Sequence, residues 1–131
     1  MWTAEHPNVS LFNRLDPANV AQSADIFAEN FVWHFFNPQM PDLEGDYRGL
    51  EGLQRFFEEL AMLTRGTFQV NPVSITPIGD ELVIAHVKDR MILNDNAIEF
   101  DAVVVWRVVD GLLSEAWDIP AVYTESLQAA A

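Results

Sequence analysis

The chain has 131 residues, half of them hydrophobic, with seven basic residues against twenty acidic ones and a formal charge of −13. A hydrophobic share this large fits one folded domain spanning residues 1–131 and argues against disorder. The acidic balance excludes nucleic acid and anionic membrane surfaces as natural partners, because binding to either needs basic patches.

The opening segment "HPNVSLFNRL" offers Val9, Phe12 and Leu15 as a short amphipathic helix. In "DPANVAQSADIFAEN", Asp16 reads as an N-cap and Pro17 as the first helical residue, with Val20, Ala24, Phe27 and Phe31 at helical spacing. The strand "FVWHFFNP" follows. Its odd positions are Phe31, Trp33, Phe35 and Asn37, and its even positions are Val32, His34 and Phe36. Alternate side chains of a strand point to opposite faces, so this strand is apolar on both and carries a lone histidine on one.

A loop rich in proline, glycine and acids, "NPQMPDLEGDYRG", leads to the helix "LEGLQRFFEELAMLTRG". There Leu53, Phe57 and Leu60 share a face, and Gly66 suits the C-terminal cap. The remainder reads as strands. Pro72 places "TFQVNPVSIT" at an edge or a bulge. A two-residue turn centred on Asp95-Asn96 pairs Val87 with Val104 and Arg90 with Asp101, the latter as a cross-strand ion pair. Asp110-Gly111 is the next hairpin signal, before "LLSEAWDI". Helices first and an antiparallel meander last define an α+β class.

That register sends Ala85, Val87, Asp89 and Met91 to one face beside Phe100, Ala102, Val104 and Trp106, and assigns Leu113, Glu115, Trp117 and Ile119 to the same side. His86, Val103, Val105 and Asp118 fall on the other. Helices cover only one side of a sheet, so the apolar outer side points to a homodimer built sheet to sheet.

No apolar run reaches the ~20 residues of a membrane helix, and "MWTAEHPNVS" has neither the basic start nor the apolar stretch of a signal peptide. A cytoplasmic protein is expected. Cysteine is absent, which removes disulfides and thiolate chemistry. His6, His34 and His86 lack metal-ligand spacing, and neither a phosphate-binding glycine loop nor a nucleophile elbow is present, so no metal and no cofactor are expected.

Taken in order, "HPN…FVWH…GDYRGLEGLQRFFEEL…GTFQV…VVVWRVVDGLLSEAWDIP" resembles the SnoaL-like branch of the nuclear transport factor 2 superfamily, from His6 to about Tyr123. The resemblance implies a cone: a curved antiparallel sheet wrapped around helices, with an interior pocket, in a protein that is usually a dimer. It also implies acid/base chemistry of the kind run by polyketide cyclases and steroid isomerases, although the fold alone does not choose among its functions.

Asp89, an acid on an otherwise apolar face, is the first candidate for a general base, because apolar walls displace a carboxyl pKa. The resemblance aligns Asp89 with an acid of the epoxide hydrolases, but their arginine and second aspartate fall on Val87 and Ile119. His34 is the second candidate, as proton partner or hydrogen-bond donor. Asp118 is the third, placed where cyclase-like relatives carry an acid; a bulge before Pro120 would turn it inward. Trp33, Phe36, Tyr47, Trp106, Glu115 and Trp117 are the candidate ligand-binding residues. The expected function is a cofactor-independent enzyme that isomerises or cyclises a small hydrophobic carbonyl compound. The alternatives are a binding module for a hydrophobic metabolite and a dimeric protein-binding scaffold with no cavity.

Overall fold

A computed structural model of the protein describes residues 6–122 and 128–129. The readings of residues 1–5 and of Tyr123 lie outside the described residues. The chain begins with a short helix α1 (Pro7–Ser10) that continues as a 3-10 turn over Leu11–Arg14. Strand β1 is Phe27–Phe35, β2 is Gly45–Arg48, and helix α2 is Gly49–Leu63. Then come β3 (Gln69–Ile78), β4 (Leu82–Leu93), β5 (Asn96–Val109), β6 (Leu112–Pro120) and the short β7 (Gln128–Ala129). The fold is α+β, as expected. One curved sheet runs in the order β2-β1-β6-β5-β4-β3, with β7 beside β5. The sheet is not wholly antiparallel, because β1 joins β6 in parallel.

Two segments before α2 differ from the sequence expectation. No α-helix begins at Pro17: Asp16 Oδ1 instead accepts the Ala18 amide at 2.9 Å, and only a kinked 3-10 segment, Val20–Ile26, follows. An aspartate that bonds the backbone two residues on favours a turn over a helix. The strand therefore starts four residues early, and Phe27 and Phe31 are buried strand residues. The expected loop before α2 contains a 3-10 turn at Pro41–Leu43 and the edge strand β2, which pairs with β1 by setting Tyr47 opposite Trp33.

Helix α2 buries Leu53, Phe56 and Leu60 against the sheet. Its end is a left-handed pair, Arg65 and Gly66, and the Gly66 amide reaches back to the Ala61 carbonyl at 2.7 Å. Phe56 packs against four rings: Phe35 at 4.8 Å between centroids, Tyr47 and Phe57 at 5.1 Å, and Trp33 at 5.4 Å. Trp33 in turn meets Trp106 of β5 at 5.6 Å, and Phe12 closes on Trp106 from the N-terminal side at 5.1 Å.

The meander settles the faces. The β4–β5 turn is Asn94-Asp95, both at positive φ, one residue earlier than expected. Val87 therefore lies opposite Ala102, and Arg90 opposite Glu99. Asp101 bonds His86 and Lys88 instead of Arg90. Moving a turn by one residue shifts each partner by two, so no side chain changes face. Ala85, Val87, Asp89, Met91, Phe100, Ala102, Val104 and Trp106 are all buried.

In β6 the parity does change. Leu113 pairs with Val108 but Glu115 pairs with Arg107, so Ser114 is an extra residue whose hydroxyl donates to the Arg107 carbonyl. Beyond this bulge Ala116, Asp118 and Pro120 face inward, while Glu115, Trp117 and Ile119 face outward, the reverse of the expectation. β3 is the sheet's other edge and carries its own bulge at Val73, just after Pro72.

Helix α2 approaches β2 so closely that a Cβ on Gly52 would stand 2.9 Å from the Tyr47 carbonyl carbon. Gly52→Ala should therefore lower stability by about 1–3 kcal/mol despite alanine's better helix propensity. Urea unfolding of the two proteins checks this, and an unchanged or raised midpoint would show that the helix can back away.

Candidate functional site

The concave side of the sheet, bordered by α2 and the N-terminal turns, holds a partly open cavity of about 190 Å³. Its walls are chiefly aromatic and aliphatic, with Trp33, Phe35, Phe56, Met91, Phe100 and Trp106 among them. Asp89, Asp118 and Asn37 interrupt this surface. Among the described residues, five buried polar side-chain atoms have no hydrogen-bond partner within the protein; one is Arg107 Nε, and the other four belong to residues that line this cavity: Asp89 Oδ1, Asp118 Oδ1, Asn37 Nδ2 and Trp33 Nε1. Buried polar groups are nearly always bonded, so four orphans around one cavity need a reason.

Each arrives by a different route. Asp89 projects from the middle of β4, opposite Phe100, and is 7% exposed. Burial alone pushes its pKa up from 3.8 to about 7. Asp118 reaches the cavity because of the Ser114 bulge. The residue keeps some exposed surface, but its Oδ1 is shut away. Burial, and then the neighbouring charge of Asp89, hold its pKa well above the usual carboxylate range. Asn37 is 1% exposed, and its Oδ1 accepts the Gln39 amide at 2.9 Å, which leaves its NH₂ group as the unused end. Trp33 and Asn37 share the odd parity of "FVWHFFNP", the signal that marks Asn37 as an inward residue.

The arrangement is therefore two carboxyl groups and two N–H donors in an apolar chamber. Among the described residues, none that lines it is basic. A carboxylate here lacks a countercharge, which is why both acids resist ionisation.

The other predicted site residues lie elsewhere. His34 is on the outer face, where Nδ1 stands 2.6 Å from Asp46 Oδ1 and Nε2 stands 2.6 Å from Glu115 Oε2. Both carboxylates can only accept, so the ring meets both as a doubly protonated imidazolium. Partial burial opposes that charge, but the hydrogen bonds to Asp46 and Glu115 outweigh it, and the His34 pKa is raised. His34 stacks on Trp117 at 5.4 Å, and the Arg107 guanidinium lies over the same indole at 5.5 Å. Phe36 is 61% exposed on this side. His34, Phe36, Glu115 and Trp117 are thus corrected from chamber residues to outer-face residues. Phe36 and His34 follow strict alternation from Trp33, and Glu115 and Trp117 follow from the bulge. Tyr47 is core: its hydroxyl donates to the Leu43 carbonyl at 2.6 Å, and its ring packs on Phe56. Trp33 and Trp106 remain chamber walls.

Residues 9–116 match the SnoaL-like domain family model, and the chain belongs to that family. No curated protein matches the sequence. Among solved structures, Bal32a from a soil-derived mobile gene cassette superimposes with a TM-score of 0.77 at 18% identity, over 88% of this chain and 89% of that one. TerC, co-crystallised with polyporic acid, gives 0.72 at 18% identity, over 87% and 91%. IdmH of Streptomyces antibioticus, described as a candidate polyketide cyclase, gives 0.67 at 17% identity, over 88% and 93%. Two further solved structures with the same architecture, at 17% identity, are described as having a cystatin-like fold and as a nuclear transport factor 2-like protein, and this chain shares that fold. Among the described residues no helix is long and apolar enough to cross a membrane.

The raised pKa of Asp89 has a definite linkage sign. Its folded value lies above its unfolded value, so the stability it allows is fully present below about pH 3.8 and is lost as pH rises through about 7. Replacing it by asparagine should remove that loss. Chemical unfolding should find Asp89→Asn gaining on the wild type between pH 4 and pH 7, by up to roughly 4 kcal/mol. A constant difference across that range would mean that Asp89 is solvated. His34 has the same sign at higher pH: its stabilisation is complete below its ordinary 6.5 and is lost as pH rises through the raised folded value. His34→Gln should accordingly cost more stability at pH 6 than at pH 10.

Proposed function

We propose that this protein is a cofactor-independent acid/base enzyme that isomerises or cyclises a small, largely apolar carbonyl compound. The observation that carries this reading is that Asp89 and Asp118, each with a buried carboxyl oxygen that has no partner within the protein, line one apolar chamber together with Trp33 and Asn37, whose side-chain N–H groups are also unpartnered. Two acids in one site whose environments separate their pKa values divide into a base and an acid. Asp89, at about 7, is ionised in a large fraction of molecules near neutrality and is the base. Asp118, raised by burial and by the charge of Asp89, keeps its proton and is the acid.

In this reading the Asp89 carboxylate removes a proton from the carbon next to the carbonyl, and the C–H electron pair passes into an enolate. The Trp33 indole N–H and the Asn37 amide N–H are the groups available to donate hydrogen bonds to the enolate oxygen's lone pairs, in a largely apolar site where such bonds are strong. For isomerisation, Asp89 returns the proton to a different carbon of the conjugated system. For cyclisation, the enolate carbon attacks a second carbonyl and Asp118 protonates the new alkoxide; the proton held by Asp89 then restores Asp118. Atoms and charge balance in both.

Hydrogen exchange tests the first step before any product is known. A panel of cyclic and linear ketones in D₂O, followed by NMR, should show enzyme-dependent deuteration next to the carbonyl for at least one member. Asp89→Asn should slow it about 10²–10⁴-fold. The wild-type rate should rise with pH through about 7 as Asp89 ionises. Ketones that bind without exchanging would favour the binding-module alternative. The scaffold alternative is disfavoured by the chamber itself, which the aromatics do not fill.

The proposed assembly is a homodimer through the outer sheet face. Phe36, Ile119 and Ile84 are exposed there, around a hollow lined by Val105 and Trp117. Sedimentation velocity should find a dimer at micromolar concentration that Ile119→Asp converts to monomer. A wild-type monomer at 100 µM would dispose of this assembly.

A further inference from the structure

The chamber continues outward. Pro17, Phe57, Phe68 and Val70 line both the chamber and a second, open hollow of about 680 Å³ between the 16–20 segment, helix α2 and the start of β3. Those shared residues form an apolar neck, and beyond it the chemistry changes. The outer hollow presents four carboxamides, Asn19, Gln54, Gln69 and Asn71, together with the carboxylates of Asp16 and Glu58.

Size and charge then constrain the ligand. The chamber alone is smaller than the ~300–1,000 Å³ of ordinary ligand sites, whereas chamber and hollow together fall within that range. A ligand that fills the site is one whose ring system sits inside while another part passes the neck. Among the described residues, none that lines either space is basic, so an anionic group has nothing to neutralise it and meets acids at both ends. Carboxamides donate and accept, while carboxylates only accept. The substituent complementary to that mixture is neutral and rich in hydroxyls, because a hydroxyl can donate to the acids and exchange hydrogen bonds with the amides. An ester or ether could only accept.

We propose that the outer hollow is a second subsite of this protein, and that its ligand is an apolar ring compound bearing a neutral, polyhydroxylated substituent that emerges between α2 and β3. The inference rests on the reading of the chamber as a ligand site, and it deepens that reading by assigning the substituent.

Calorimetric titration with three probes of one ring system tests it: 2-naphthol, 2-naphthyl β-D-glucopyranoside and 2-naphthyl phosphate. The glucoside should bind about tenfold more tightly than naphthol, as roughly two net hydrogen bonds would give, and the phosphate should bind least. The double variant Gln54→Ala with Asn71→Ala, both outside the chamber wall, should bring the glucoside to the affinity of naphthol and leave naphthol unchanged. A glucoside that binds no better than naphthol, or a variant that weakens both equally, overturns the subsite and leaves the chamber reading intact. A phosphate that binds as well as the glucoside overturns its neutrality. Failure of naphthol itself would remove the chamber reading, and the subsite with it.

Discussion

Helix α2 presses Phe56 into a cluster formed by Trp33, Phe35 and Tyr47, and this contact anchors the helix on β1 and β2 beside the chamber. Aromatic rings bury much area and prefer tilted or edge-on approach, so a ring cluster is a stiff way to join a helix to a sheet. Gly52 lets the helix come this close, because the backbone of Tyr47 occupies the place of any larger residue. With the helix seated, Trp33 leans on Trp106 two strands away, and the rings frame a space instead of collapsing into it.

The polar groups in that space derive their character from what surrounds them. An aspartate on a strand is ordinarily an ion paired with a neighbour, as Asp101 is with His86 and Lys88 on the outer face of the same sheet. Hydrogen bonds to His86 and Lys88 hold the Asp101 pKa down. Asp89, one strand over and one face in, has apolar neighbours and no cation lining its chamber among the described residues, and its pKa moves the opposite way. The contrast separates two effects of the same residue type: countercharge stabilises the ionised form, and desolvation penalises it.

The two sides of β1 divide the protein's chemistry. Trp33 and Asn37 line the chamber, while His34 stitches β1 to β2 through Asp46 and to β6 through Glu115. That outer cluster compensates its charges locally, with Arg107 3.9 Å from Glu115 and 2.9 Å from Glu81. A histidine so enclosed by acids is a strand fastener, and its proximity in sequence to a chamber residue says nothing about access to the chamber.

Much of this was legible in the sequence where the information is local. Alternation is a consequence of covalent geometry, so the inward sets of β4 and β5, the place of Asp89 among them, and the opposition of Trp33 to His34 all follow from counting by twos. Even the turn misplaced by one residue left the faces intact. The α+β class and the SnoaL-like resemblance rest on the order of such local signals. What the sequence did not decide is whatever depends on a partner strand or on remote packing. Ser114 is an extra residue only relative to Arg107 and Val108 across the sheet, yet it alone turns Asp118 inward and Glu115 and Trp117 outward. The helix expected after Pro17 yielded to an aspartate turn and an earlier strand. The displaced acidities of Asp89 and Asp118 likewise exist only once α2 and the N-terminal turns exclude water from above. Sequence by itself determined which residues alternate; tertiary structure decided which of them share a dry chamber, because pairing register and desolvation are properties of neighbours far away in the chain.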